Sequence, residues 1–426
     1  MRGIQEANGA DEVNKAGKVS KTDGANEAGK VSKTDGVDEA GKVSKTDEAD
    51  EAGIEELRMQ LDQLDDEIVK LFERRIETGS RIGECKIRNG MKIFDRQGER
   101  DKLADVTGKA STEFNRKGIH ELFSQLMAMD RKIQYRQLVE AGALGRLPFI
   151  GVDTLDAQNA RIVFPGTEGA FSQAAMQCYF GEKCNSFYVR TFRDAMESIE
   201  EGAADYAVLP IENSTAGAVD EMYDLLVEFE NYIVGETIIP ITHTLSGVPG
   251  TKLSDIERVY SKGVALMQAS RFLNAHSEWQ QISVANTAIA AKKIMEEQDK
   301  SQAAVCSAQA AKIHGLEVLE GNINDDPGNS TRFIVVTNQK IFLKDAKKIS
   351  ICFEVPHESG SLYQLLSHFI YNDLNMTRIE SRPVEGRNWE YRFFVDFDGN
   401  LAEPAVKNAI RGLRQESRSL RILGNY

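Results

Sequence analysis

The 426-residue sequence is poor in the residues that build extracellular and metal-bound folds. Its five cysteines are odd in number and scattered, with no Cys-x-x-Cys spacing. That usage argues against a disulfide framework and fits reduced thiols in the cytoplasm. Six histidines are equally scattered, and none forms a pair at metal-ligand spacing, so neither a structural nor a catalytic metal is expected. No apolar run approaches the length of a membrane span, and the N-terminal stretch lacks the basic-then-apolar pattern of a secretion signal. Positive charge is in deficit too, with 52 Lys and Arg against 66 Asp and Glu, net −14. That argues against a nucleic-acid-binding surface and leaves room for a local positive pocket around a small anion.

The length predicts two to four domains. Residues 1–53 are low-complexity: Ala-Gly-Lys-Val-Ser-Lys-Thr-Asp begins at Ala16, Ala28 and Ala40. Each copy of that phrase has one apolar residue larger than alanine, Val19, Val31 and Val43 in turn. So little apolar area does not offset chain entropy, and a disordered tail is expected. From Ile54 the pattern becomes helical: Leu57, Leu61, Leu64, Ile68 and Leu71 recur every three or four residues. A helix to Asn89, and two more near Gln97–Lys109 and Lys117–Leu138, make an all-α region over 54–140. Charged and polar side chains lie on its inward stripe, at Arg74, Arg75, Lys86, Asp130 and Gln134. Buried charge needs partners. A cavity lined by Arg, Lys and Gln suits a small dicarboxylate; side chains reaching to a solvated rim fit the same pattern.

Residues 141–160 read as a linker. From Arg161 to about residue 340, short apolar runs alternate with helical stretches, which predicts a two-lobed α/β domain with a largely parallel sheet. Its centre is Asp205–Gly217. Tyr206–Leu209 is a strand that Pro210 should end, for want of an N–H. Glu212, Asn213, Ser214 and Thr215 follow, then an amphipathic helix. Ligands in α/β sheets bind beyond the carboxyl ends of strands, so these residues form either a small-anion site or a cap and turn. Further polar groups fall at strand ends: Gly166–Ser172, Ser261, Asn286-Thr287 and Asn329–Phe333. Residues 348–426 read strand, helix, strand, strand, helix, strand, the order of the ferredoxin-like α+β fold.

The first region resembles the all-helical chorismate mutases through Leu-Arg58, Glu-Arg74-Arg75, Gly-Glu-Cys-Lys86, Asp95 with Glu99, and Gln134. The resemblance implies a helical dimer in which Arg58 reaches in from the partner chain and Arg74 grips a carboxylate. Lys86 and Gln134 donate to the ether oxygen, while Glu99 and Asp95 orient the hydroxyl. The chain departs from that family at Gly98, where arginine is usual, and at Asp130, where serine is common. Arg96, Arg100 or Arg131 is expected to compensate Asp130.

The second region resembles prephenate dehydratase through Gly166–Ser172, Pro210-Ile211-Glu212-Asn213-Ser214 and Asn329-Ser330-Thr331-Arg332-Phe333. Thr331 is then the catalytic hydroxyl and Arg332 helps hold a carboxylate. Glu212, Asn213, Ser214, Ser261, Gln268 and Thr287 line the cleft. The third region, through Gly360-Ser361-Leu362 and Glu380-Ser381-Arg382-Pro383, resembles the amino-acid-sensing ACT domain. The three together imply a cytoplasmic enzyme that takes chorismate to prephenate to phenylpyruvate. It is expected to be inhibited by L-phenylalanine, to need no cofactor, and to form a homodimer or higher homo-oligomer. A dehydratase with a degenerate helical domain, and a non-catalytic sensor, remain open alternatives.

Overall fold

The computed structural model describes residues 45–142 and 147–426, with side chains from Gly53 onward. The repeats at 1–44 lie outside the described residues. Residues 45–53, expected at the end of a tail, are instead the first turns of α1, Lys45–Arg88. Ala and Glu there favour a helix, and acid near the N-terminus suits its dipole. The chain divides into two compact units after Lys70, within α1. In the first unit the stripe Ile54, Leu57, Leu61, Leu64 and Ile68 is 50–60% exposed.

In the second unit the rest of α1 is followed by α2 (Arg96–Thr107) and α3 (Glu113–Glu140). Asp95 caps α2 by accepting from Gly98 N at 3.1 Å, and Thr112 caps α3. α1 and α3 approach closely at Gly79 and Gly83. A Cβ at Gly79 would lie 2.4 Å from Asp130 Oδ1, and one at Gly83 would lie 2.5 Å from Gln134 Cγ.

The linker contains a strand that its three residues and flanking Gly and Pro disguise: β1 (Ile150–Val152), parallel to β13 (Ile341–Leu343). The first lobe comprises β2 (Arg161–Pro165), α4 (Phe171–Phe180), β3 (Asn185–Val189), α5 (Phe192–Glu200), β4 (Tyr206–Asn213), β5 (Gly217–Ala218), α6 (Asp220–Glu228) and β6 (Tyr232–Pro240), completed by β12 (Ser330–Thr337). The second comprises β7 (Thr244–Gly247), β8 (Arg258–Ser261), α7 (Gly263–Gln268), α8 (Ser270–Asn274), β9 (Gln280–Ser283), α9 (Thr287–Glu297), β10 (Gln302–Cys306), α10 (Ala308–Ile313) and β11 (Glu317–Glu320).

The sheets are mixed, which corrects the expectation of a largely parallel one. β2 is parallel to β3 and β4, and β8 is parallel to β9 and β10. β12, however, runs antiparallel to both β4 and β6, and β7 runs antiparallel to β10 and β11. The chain leaves the first lobe along β6 and returns along β12. Neighbouring strands that carry the chain out and back must oppose each other. Pro210 does not end β4, which continues to Asn213. It sits opposite Phe333 at a register shift between Arg332 and Phe333, where a bulge tolerates its missing N–H.

The C-terminal region is β14 (Lys348–Glu354), α11 (Ser361–Ile370), β15 (Met376–Pro383), β16 (Tyr391–Asp398), α12 (Pro404–Glu416) and β17 (Ser419–Asn425). The strands lie in the order β15-β16-β14-β17, all antiparallel, as the sequence order predicts. β17 then meets β6 at a single parallel pair, Gly424 with Ile233, so this sheet continues that of the first lobe. One apolar core runs through both, joining Leu209, Met222 and Ile334 to Cys352, Phe394 and Leu423. A Cβ on Gly424 would fall 2.1 Å from the Ile233 carbonyl oxygen. Gly424→Ala is therefore expected to cost about 1–3 kcal/mol, the usual penalty of overpacking, read as a lower urea midpoint. An unchanged midpoint would show that the join yields freely.

Candidate active sites

β12 presents successive side chains to opposite faces of its sheet. Thr331 is buried on one face, and Arg332 turns to the other. Thr331 is in register with Asn213 on β4. The Asn213 amide Nδ2 donates to Thr331 Oγ1 (2.9 Å), Asn329 Oδ1 (2.8 Å) and the Ser330 carbonyl (3.0 Å). Asn213 Oδ1 accepts from the backbone N–H groups of Thr215 (3.1 Å) and Ala216 (2.8 Å), an Asx-turn. Gln268 Nε2, at the end of α7, donates to Asn213 Oδ1 (3.1 Å) and Thr215 Oγ1 (2.8 Å). Ser214 Oγ accepts from Ser330 N at 3.0 Å and pins the two loops together. Thr331, Asn213, Ser214 and Gln268 are thus one cluster. Thr215 and Asn329, from the same two polar motifs, join it.

Four of the expected cleft residues do not join. Arg332 donates to Glu236 (2.7 Å), Asp396 (2.9 Å) and the Tyr426 hydroxyl (2.7 Å). Glu212, two residues along β4 from Pro210 and on the Arg332 side, accepts from Arg378 of β15 at 2.7 Å. Strand alternation places both against the C-terminal region, where Arg332 is not free for a substrate carboxylate. Burial opposes ionisation of Glu236, but Lys348 and Arg332 hold its carboxyl below the usual range. Ser261 is fully buried and donates to the Val305 carbonyl at 2.6 Å. Thr287 opens α9, which Asn286 caps by accepting from Ile289 N at 2.7 Å.

In the helical region a second cluster forms. Arg75 pairs with Asp130 at 2.8 Å, and Glu99 pairs with Arg131. Lys86 Nζ donates to the Ile93 carbonyl at 2.7 Å, and Gln134 Nε2 to the Gly79 carbonyl at 3.0 Å. Burial raises the pKa of both Glu99 and Asp130; the Arg131 charge opposes this at Glu99, and the Arg75 charge at Asp130. Asp130 is therefore compensated chiefly by Arg75. Arg96 and Arg100 turn instead to Glu358, at 3.7 and 2.7 Å. Asp95 is occupied as the α2 cap, and Arg74 is exposed. Arg58, in the other unit, is exposed and pairs with Glu55 at 2.7 Å.

In the C-terminal region Gly360, Ser361 and Leu362 line a cavity of about 420 Å³ together with His357, Trp389 and Tyr391. Residues 380–383 do not line it. Arg382 binds Asp220 (2.8 Å) and Asp224 (2.7 Å) of α6, Glu380 lies 3.5 Å from Arg378, and Ser381 and Pro383 are exposed.

α3 packs on α12 through a buried ion pair that the sequence pattern did not reveal, because its partners are 285 positions apart: Arg131 Nε donates to Glu416 at 2.8 Å. His368 Nε2 lies 3.2 Å from the same carboxylate. Burial opposes ionisation of Glu416, yet Arg131 and His368 hold it down to about 2. A carboxylate with a depressed pKa contributes stability above its unfolded value of 4.5 and loses it as pH falls toward 2. Arg131→Met is expected to destabilise the fold by about 3–5 kcal/mol at neutral pH, because it strands a buried charge. The gap from wild type should narrow as pH drops below about 4.5. Denaturant titrations at several pH values read this, and a pH-independent gap would contradict it.

Among the described residues, no helix is long and apolar enough to cross a membrane. The family model for prephenate dehydratase matches residues 162–341, and that for chorismate mutase type II matches residues 57–135. The bifunctional chorismate mutase/prephenate dehydratase of Aquifex aeolicus (strain VF5) is 31% identical over 88% of this chain and 97% of its own length. Among solved structures, the prephenate dehydratase of Arthrobacter aurescens in complex with L-Phe is similar to 62% of this chain, over 89% of its own, at 32% identity and a TM-score of 0.58. GqqA, described as a novel type of quorum quenching acylase, is similar to 62% of this chain, over 97% of its own, at 32% identity and a TM-score of 0.57. Two family models in the order of the two site clusters, and a bifunctional relative matched nearly end to end, place this chain in the bifunctional chorismate mutase/prephenate dehydratase family.

Proposed function

We propose that this member of the family converts chorismate to prephenate in its helical region and prephenate to phenylpyruvate at the Thr331 cluster, with L-phenylalanine as effector of the C-terminal region. The observation that carries the dehydratase assignment is the Asn213–Thr331 hydrogen bond. Prephenate loses its ring carboxylate as CO₂. The electron pair of that C–C bond enters the ring, the ring C–OH bond breaks, and the oxygen takes up a proton and leaves as water. Asn213 occupies the acceptor side of Thr331 Oγ1, which leaves the hydroxyl proton free for the departing oxygen. Threonine is a weak acid, so position and hydrogen bonding outweigh acidity here. Asn213, Ser214 and Gln268 hold the threonine loop. Glu212 and Arg332 are assigned to the contact with the C-terminal region, not to the substrate.

The mutase reaction is unimolecular, so the protein contributes conformation and charge stabilisation. Lys86 and Gln134 would donate to the ether oxygen, Glu99 and Asp95 would orient the hydroxyl, and Arg74 would hold a carboxylate. Lys86 then exchanges its bond to Ile93, and Glu99 its pairing with Arg131, for substrate. Arg58 would come from a second copy, and the exposed α1 stripe supports a homodimer or higher homo-oligomer.

The split βαβ order and the cavity at Gly360–Leu362 support an ACT domain, as does the L-Phe complex of the Arthrobacter relative. A second copy would bring Glu380–Pro383 to that cavity. All five cysteines are free, which supports a cytoplasmic setting. Neither reaction as proposed uses a cofactor or metal.

Purified protein fed chorismate should yield prephenate and then phenylpyruvate above a protein-free control. Thr331→Ala should cut dehydratase turnover by about 10²–10³-fold, as loss of one oriented donor does, and prephenate should accumulate. Near wild-type turnover would sink the Thr331 assignment. Lys86→Ala should abolish prephenate formation while leaving added prephenate to react at the normal rate; retained mutase activity would remove Lys86 from the site. Saturating L-phenylalanine should depress the dehydratase rate, and an unchanged rate would end the effector reading.

A further inference from the structure

His243 lies where the chain crosses from β6 to β7, outside every motif of the sequence reading. It is 2% exposed. Its backbone N–H donates to Asn324 Oδ1 at 2.6 Å, and its carbonyl accepts from Ile323 N at 3.1 Å. Residues 323 and 324 belong to the returning crossing from β11 to β12, so His243 is clamped between the two connections that join the lobes. The Phe171 ring meets the imidazole edge-on, with centroids 5.8 Å apart. Its Nε2 lies 3.1 Å from Gln268 Oε1, and its Nδ1 is buried without a partner.

The direction of every hydrogen bond from here to Thr331 follows from groups that cannot reverse. The backbone N–H groups of Thr215 and Ala216 only donate, so the Asn213 atom they meet is its carbonyl oxygen. The Gln268 atom facing that oxygen must then be its NH₂, and the opposite end of the amide its oxygen. That oxygen requires a donor, which makes His243 Nε2 the protonated ring nitrogen. On the other side, the Asn213 NH₂ must face Thr331 Oγ1. Burial pushes the His243 pKa down, which favours a neutral ring with a single proton.

We propose that His243 is a positioning residue of the dehydratase site. By donating from Nε2 it locks the Gln268 amide, and through Gln268 and Asn213 it holds Thr331 with its hydroxyl proton directed at the substrate. Without that donor the Gln268 amide is free to turn, and a turned amide sets its oxygen against Asn213 Oδ1. This inference rests on the dehydratase reading above. The wild-type rate with prephenate tests that reading separately, so the two can fail independently.

The test compares His243→Leu, which removes the donor, with His243→Gln, whose amide nitrogen reaches a similar position. Full-length variants are assayed with prephenate, and circular dichroism and the mutase rate serve as folding controls. His243→Leu should lower kcat by about 10–100-fold, the lower end of what correct placement of a proton donor supplies, with KM changed by less than about three-fold. His243→Gln should recover kcat to within about five-fold of wild type. His243→Leu combined with Gln268→Leu should be no slower than Gln268→Leu alone, as residues acting in series are non-additive. Three outcomes would overturn the proposal. They are an unaltered kcat in His243→Leu, equal impairment of the Gln variant in a folded protein, or losses that multiply in the double variant.

Discussion

The alternation of side chains along β12 is the constraint on which the rest of this molecule depends. Thr331 and Arg332 are consecutive, so they must face opposite sides of the sheet. One side carries the Asn213–Gln268 hydrogen-bond chain. The other carries a buried ion cluster in which Arg332 binds Glu236, Asp396 and the Tyr426 hydroxyl. Glu212 and Asn213 on β4 repeat the division, Glu212 toward Arg378 and Asn213 toward Thr331. The bulge at Ile211 of β4, beside Pro210, lies next to this pair of residues and sets which way each points. The Thr331 cluster and the C-terminal region therefore lie on two faces of the same two strands. Asp396 and Tyr426 thus contact the residue next to Thr331.

The helical region is tied to the C-terminal region by a different kind of contact. Arg131 stands between Glu99, in the cluster of the helical region, and Glu416 on α12. A buried arginine serving two carboxylates is costly to desolvate, and each charge is tolerable only because the others are present. Lys132 adds a bond to Ser367 at 2.8 Å and lies 3.6 Å from the Tyr371 ring centroid. Arg100 reaches Glu358, beside the cavity at Gly360–Leu362. The C-terminal region thus touches both catalytic regions, one through its sheet and one through its helices.

Much of this was legible along the chain. The three helices, the alternating α/β stretch and the split βαβ order follow from local period, which needs only neighbours three or two residues apart. Thr331 and Asn213 lie in dense polar motifs at strand ends, whereas Gln268 came only from the family resemblance. Less local features were not legible. Pro210 within a strand depends on a bulge at its neighbour Ile211, where β4 carries one residue more than β12. The mixed sheet depends on two crossings some ninety positions apart in the chain. Ser261 looked available for a ligand, yet the Val305 carbonyl takes its hydroxyl. On sequence, Asp130 is matched to Arg96, Arg100 or Arg131 rather than to Arg75, because the direction of Arg75, on the same inward stripe as Arg74, cannot be assigned from spacing alone.

The sequence by itself determined which segments form helices and strands, which residue types gather at the strand ends, and the order of three regions that together imply two chemistries. Those are properties of short windows, where periodicity and turn chemistry act. Only the tertiary structure decided that Arg332 and Glu212 face away from Thr331, that Arg131 bridges two regions, and that an isolated histidine in a crossing loop ends a hydrogen-bond chain running to the Thr331 hydroxyl. Each of these turns on which face a strand presents and which distant donor is left without an acceptor. Such pairings exist only once the sheet and the lobe crossings have been closed.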